Sequence, residues 1–188
     1  MINNNTNIPY EIMTIDNIYT HDEIALYIKQ IDNYSNKERL FSDNDFKNGK
    51  IYNIEHSDMI FNRIKPYLPS NYIDRNGKSW EFIGSCYYIF YAKLIENQHF
   101  GIHTDTGSFY DNKNNMYSKF TLLTYLNDDF IGGATQFYNS NLERTITIEP
   151  AINKTLIFDI DLFHKGDIIL QGSKRWIGTE IVCRLKKV

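Results

Sequence analysis

The sequence predicts a mostly β chain with N-terminal helices, a jelly-roll core packed on supporting helices. Three observations carry that expectation. From Trp80 onward, β-branched and aromatic residues dominate in short runs broken by turn residues, the pattern of a sandwich or barrel. Ahead of residue 80, two stretches place apolar residues at helical spacing. The chain has 188 residues, 42% hydrophobic and 15% aromatic, enough for one domain, 1–188, to bury its own core without staples.

In chain order, the first nine residues are polar and read as a loose terminus. Thr20-His21-Asp22-Glu23 is a capping box, with Thr20 as N-cap and Glu23 at the third helical position. Ile24, Ile28 and Ile31 follow at helical intervals, so a helix is expected over 21–33. Residues 35–50 are polar and loop-like. Ser57 opens a second helix, with Met59, Ile60, Ile64 and Leu68 as its apolar positions and Pro66 and Pro69 as its end. Residues 70–79 are turn-rich, which makes 1–79 the helical support and 80–188 the β core. Strands are expected at 80–95, 99–104, 119–126, 134–138, 144–149, 154–159, 162–169 and 174–185. The longest break, 106–118, carries Phe109, Tyr110 and Tyr117 and is a candidate substrate lid or a plain connection.

Composition narrows the function classes. A net charge of -3 gives no basic footprint for nucleic acid. Cys86 and Cys183 are far apart and read as buried thiols of a reducing compartment. The start, Met1 to Asn7, has neither the basic nor the apolar segment of a signal peptide, and no run reaches the roughly 18 apolar residues of a membrane span. A cytoplasmic chain without membrane contact is expected.

Four residues carry chemistry. His103 and Asp105 are two apart, so in an extended chain both project to one side. With His164 they make two imidazoles and one carboxylate, the facial set that suits non-haem Fe(II) and leaves open positions for O₂ and a co-substrate. His-x-Asp by itself is common by chance. Its context here adds weight: His103 ends an expected strand before a long polar loop, and His164 follows the apolar run Thr155-Leu156-Ile157-Phe158. His21 at a helix start, His56 just before a helix and His99 leading to His103 read as structural or exposed. Lys174, beyond the Gly172 turn and beside Trp176 and Ile177, reads as partly buried. A buried ammonium needs an anion, which the distal carboxylate of a dicarboxylate co-substrate would supply. Arg175 points to the opposite face. Tyr125 is either a second hydrogen-bond donor there or an aromatic core residue.

With these residues in hand, the segment from Tyr87 to Leu185 resembles the prolyl 4-hydroxylase-like family of 2-oxoglutarate/Fe(II) dioxygenases. The resemblance rests on Phe100-Gly101-Ile102-His103-Thr104-Asp105, on Tyr125-Leu126-Asn127 through Gly132-Gly133-Ala134-Thr135-Gln136-Phe137, on His164-Lys165-Gly166, and on Gly172-Ser173-Lys174-Arg175-Trp176. It implies a double-stranded β-helix. It also implies Fe(II) on His103, Asp105 and His164, and 2-oxoglutarate anchored by Lys174 with Tyr125 assisting. O₂ would be the oxidant and ascorbate an optional accessory. One position departs from the family: a Tyr common nine residues before the first ligand is Leu94, with Tyr91 or Tyr88 as candidates to compensate.

The expected activity is hydroxylation of a C–H bond of a peptidyl, chiefly prolyl, side chain, with release of succinate and CO₂. A second reading keeps the chemistry on a small molecule or nucleobase; Lys174, where nucleobase demethylases usually carry an Arg anchor, and the acidic charge balance speak against the nucleobase. A third is a non-catalytic barrel, whose signature would be loss of the triad. Partners are thus a peptide or protein, or a small molecule, with no assignment of oligomeric state.

Overall fold

The structure is a computed structural model that describes residues 12–33 and 47–186. The polar stretches expected at 1–9 and over most of 35–50 lie outside the described residues. In the N-terminal part, β1 (Ile12–Asp16) leads to α1 (His21–Asn33), then β2 (Lys47–Tyr52), α2 (Ile54–Ile64) with a 3₁₀ turn (Lys65–Tyr67), and β3 (Tyr72–Ile73). The β core continues with β4 (Ser79–Ser85), β5 (Tyr88–Ile95), β6 (Phe100–His103), β7 (Tyr110–Asp111), β8 (Met116–Tyr125), β9 (Ile131–Gly132) and β10 (Thr135–Tyr138). It ends with β11 (Arg144–Ile148), β12 (Lys154–Asp159), β13 (Phe163–Gly166), β14 (Ile169–Gln171) and β15 (Ser173–Leu185).

The capping box forms as expected. The Thr20 amide donates to Glu23 Oε2 at 2.7 Å, and the Glu23 amide donates to Thr20 Oγ1 at 3.2 Å. Helix α2 begins earlier than Ser57, because Asn53 caps it: its Oδ1 accepts the His56 amide at 2.9 Å. His56 therefore lies within the helix and is buried, with Nε2 2.9 Å from the Tyr19 hydroxyl.

Four further departures concern strands. The expected support is not purely helical: β1 pairs with β12, β2 with β5, and β3 with β4, so it extends the main sheet. The run 80–95 is two strands, bent at Cys86-Tyr87, and 162–169 divides between β13 and β14. The 106–118 break holds β7, which folds back on β8 as a hairpin with Tyr110 opposite Tyr117.

All strand pairs are antiparallel. The larger sheet runs β1-β12-β8-β15-β4-β3, and the smaller β11-β10-β13-β6, giving the jelly-roll double-stranded β-helix. Strand β15 is shared: its first half pairs with β5, its second with β4, and β8 lies along its other side. Its alternation sets out the layers, because successive side chains point to opposite faces. Ile177 and Ile181 join Leu122 and Ile157 in a cluster with Ile24 and Ile31 of α1 and Ile60, Phe61 and Ile64 of α2. Lys174, Trp176, Gly178 and Glu180 face the barrel interior, where Tyr125, Phe137, Leu156, Phe158 and Leu162 form a second cluster. Each large apolar side chain fully buried in these layers contributes roughly 1.5–3 kcal/mol. Arg175, on the helix side as expected, meets Asp32 of α1 at 3.0 Å. Among the described residues no helix is long and apolar enough to cross a membrane.

Candidate active site

Strands β6 and β13 are hydrogen-bonded neighbours, and their register sets His103 directly opposite His164, with ring centroids 4.3 Å apart. Asp105 follows β6 and brings Oδ1 to 3.5 Å from His103 Nε2 and 3.7 Å from His164 Nε2. One ligand atom from each residue lies within 4.8 Å of the others. Both imidazoles are oriented from behind. Nδ1 of His103 is 2.8 Å from the Gly101 carbonyl and Nδ1 of His164 is 3.0 Å from that of Leu162. A ring that donates Nδ1–H to a carbonyl keeps the Nε2 lone pair for a cation, which is how metal-binding histidines are held. The remaining oxygen of Asp105, Oδ2, accepts the Thr121 hydroxyl, and the Asp105 amide donates to Ile160 O at 3.0 Å.

Charge follows the same logic. Burial pushes the His164 imidazole down and favours its neutral form, the form that ligates. Burial pushes the Asp105 carboxyl up, but the hydrogen bond from His103, the charge of His164 and the Thr121 hydroxyl hold it below the ordinary carboxylate value. The donor set, two imidazole nitrogens and one anionic oxygen on a face open to a cavity, fits Fe(II).

The cavity holds about 430 Å³, within the range of small-ligand sites. Lys174 is in its wall and is 3% exposed. Its Nζ donates to Gly133 O at 2.5 Å and stands over the Tyr125 ring, 4.8 Å from the centroid. Among the described residues it has no carboxylate at ion-pair distance. Burial pushes its pKa down to about 7, against the opposing pull of Glu149 and Asp167. Gly133 sits at φ +71, and a Cβ there would come within 2.6 Å of Ile169 Cδ1 and 3.2 Å of Lys174 Cδ, so only glycine leaves the lysine its room. Tyr125 is fully buried and not in the cavity wall. Its hydroxyl lies 2.6 Å from that of Thr135, which is.

The structure thus brings together His103, Asp105, His164, Lys174 and Tyr125. Leu94, in the position where the resembled family carries Tyr, lies opposite Lys174 in the β5–β15 register. Tyr91 joins the helix-side core and also borders the cavity, and the Tyr88 ring lies under the Lys50 ammonium at 4.8 Å. Of the segment 106–118, Thr106 reaches the cavity wall, and Tyr110 and Asp111 pair back on β8 as a hairpin. Sequence reasoning missed Thr121, Thr135 and Glu180. Each is defined by a cross-strand neighbour, and no local spacing announces it.

Residues 87–182 match the family model described as the 2OG-Fe(II) oxygenase superfamily. A search of the curated proteins finds no match. Among solved structures, the chain is similar to a viral collagen prolyl hydroxylase of Paramecium bursaria Chlorella virus-1 in its 2-oxoglutarate complex. The TM-score is 0.62 at 18% identity, over 94% of this chain and 97% of that one. It is also similar to a Pseudomonas putida prolyl-4-hydroxylase, with TM-score 0.61 and 11% identity over 94% of each chain. A Trichoplax adhaerens prolyl hydroxylase in complex with a hypoxia inducible factor peptide gives 0.60 and 16%, over 91% of this chain and 83% of that one. At these identities the structural likeness shows the fold. The family match covers more than half of the chain and takes in His103, Asp105, His164 and Lys174, and on that ground the chain belongs to the 2OG-Fe(II) oxygenase superfamily as an iron- and 2-oxoglutarate-dependent dioxygenase.

Proposed function

We propose that this dioxygenase hydroxylates a C–H bond of a peptidyl side chain, prolyl foremost, and that residues 1–188 act as one catalytic domain releasing succinate and CO₂. His103, Asp105 and His164 hold Fe(II), and Lys174 receives the distal carboxylate of 2-oxoglutarate. Tyr125 assists by fixing the Thr135 hydroxyl that faces the cavity. When bound, the iron and 2-oxoglutarate supply the oxidising chemistry. The protein's own part is orientation. The Gly101 and Leu162 carbonyls set the ring tautomers, Thr121 steers the carboxylate, and the aromatic wall of Phe90, Phe100, Phe158 and Trp176 excludes water.

The observation that carries this reading is a buried lysine ammonium with no carboxylate partner among the described residues, in the wall of the same cavity as the three ligands. A dicarboxylate bound to the metal at one end satisfies that cation at the other. The peptidyl substrate is supported by the structural neighbours, one a collagen prolyl hydroxylase and one in complex with a peptide. Anaerobic addition of Fe(II) and 2-oxoglutarate should give a weak visible charge-transfer band that His164→Ala abolishes. A succinate-release screen over peptides and metabolites then reads the substrate, and turnover confined to metabolites would overturn the peptidyl assignment.

A further inference from the structure

Glu180 is a carboxylate that neither the metal nor the co-substrate uses. It is 7% exposed and lies in the wall of the active-site cavity. Its position follows from register: on β15 it is opposite Thr121 of β8, the residue whose hydroxyl holds Asp105. Directly opposed residues share a face, with Cβ atoms about 4.5–5.5 Å apart. Lys174, Trp176, Gly178 and Glu180 alternate along one face, which sets Glu180 and Lys174 about 20 Å apart along the strand. The cavity wall therefore carries a lysine and a carboxylate well apart along β15, with the ligand triad in the same wall.

The carboxylate is held by one oxygen only. Oε2 accepts the Ser108 amide at 2.8 Å, the Ser108 hydroxyl at 2.8 Å and the Ser118 hydroxyl at 2.5 Å. Three donors on one oxygen fix the side chain, and Oε1 is left with no partner among the described residues. Lys50 is also in the wall, but its ammonium stands over the Tyr88 ring at 4.8 Å, and among the described residues no ion pair joins it to Glu180. Apart from Asp105, Glu180 is the only carboxylate in the wall among the described residues. A buried, immobilised anion with a free oxygen is a preformed receptor for a cation, because little side-chain entropy remains to be lost on binding.

We propose that Glu180 is a specificity-determining residue that binds a cationic group of the substrate, an ammonium or guanidinium close to the oxidised carbon. This narrows the peptidyl substrate proposed above to a basic one, and it rests on that reading. Lys174 and Glu180 then sort the two reactants by charge, the first taking the dicarboxylate and the second the cation.

The test uses the full chain, loaded anaerobically with Fe(II) and 2-oxoglutarate, and paired peptides. A Pro/Ala/Gly host carries either one lysine or the neutral norleucine at the same place. The lysine peptide should bind about tenfold tighter, and Glu180→Gln should bring the two within about twofold. Glutamine keeps an acceptor oxygen for Ser108 and Ser118, so melting temperature and 2-oxoglutarate affinity should hold. Equal binding of both peptides to the wild type, or a preference that survives Glu180→Gln, overturns the proposal. A parallel titration with n-butylammonium against n-butanol reads the cation site without any peptide. Selective binding of the cation that Glu180→Gln abolishes supports the proposal, and equal binding of the two overturns it. If no peptide binds while the ammonium does, the peptidyl reading fails and the cation site stands.

Discussion

At the scale of single residues, Lys174 shows how surroundings assign a role. Its ordinary pKa is near 10.4, yet burial brings it to about 7. A carboxylate needs the ammonium form, so above pH 7 the co-substrate must bring a proton in with it. The 2-oxoglutarate dissociation constant should be flat below pH 7 and rise about tenfold per unit above it. Lys174→Met should weaken 2-oxoglutarate binding about 100-fold and flatten that profile, while iron affinity stays unchanged. The same shift acts on stability. The folded-state value is depressed, so the unfolded chain binds more protons between about pH 7 and 10, and the co-substrate-free protein should gain stability as pH rises through that window. Thr121→Val removes the donor behind Asp105 and should lower iron affinity about 10–100-fold in a chelator competition. His103 and Asp105 were legible because a spacing of two in extended chain turns both side chains to one side, and the flanking strand and His164 gave that common pattern its weight. Thr121 was not, because its partner is 16 positions away and reaches it only after β6 and β8 have formed.

At the scale of elements, β15 turns one face to the barrel interior and the other to the helices. Gly133 gives the interior face its tolerance limit. Gly133→Ala should cost about 1–3 kcal/mol in stability and weaken 2-oxoglutarate binding, since its Cβ meets Ile169 and the Lys174 chain. Asn53→Ala, the cap of α2, is the contrast: about 1 kcal/mol in thermal denaturation with 2-oxoglutarate binding untouched. Sequence pattern found α1 because Thr20 and Glu23 satisfy each other locally. It misplaced the start of α2 because Asn53 competes with Ser57 as a cap. The pattern missed β2, whose Lys47-Asn48-Gly49-Lys50 start is polar and becomes a strand only through pairing with β5. Short β3 was lost for the same reason, since Tyr72 and Ile73 pair with Trp80 and Ser79 across a Gly77 turn.

For the whole molecule, the jelly roll was legible in the alternation of β-branched and aromatic residues, while strand order was not, because register across a sheet is a long-range property. That order carries a consequence. Among the described residues, strand β6 ends the smaller sheet, with β13 as its one strand neighbour, and it is four residues long. Short terminal strands fray, and the two histidines sit on either side of this seam. A cation shared between them would rivet the sheet at this end. By linkage, ligand at 100 times its dissociation constant should stabilise the protein by about 2.7 kcal/mol. Amide exchange should locate the gain: chelation should speed exchange along 100–103 and leave Leu122 and Ile177 as slow as before. Held between these histidines, the ion that equips the barrel for oxidation would also clasp one of its edges, and iron starvation would then reach the enzyme first as a frayed margin.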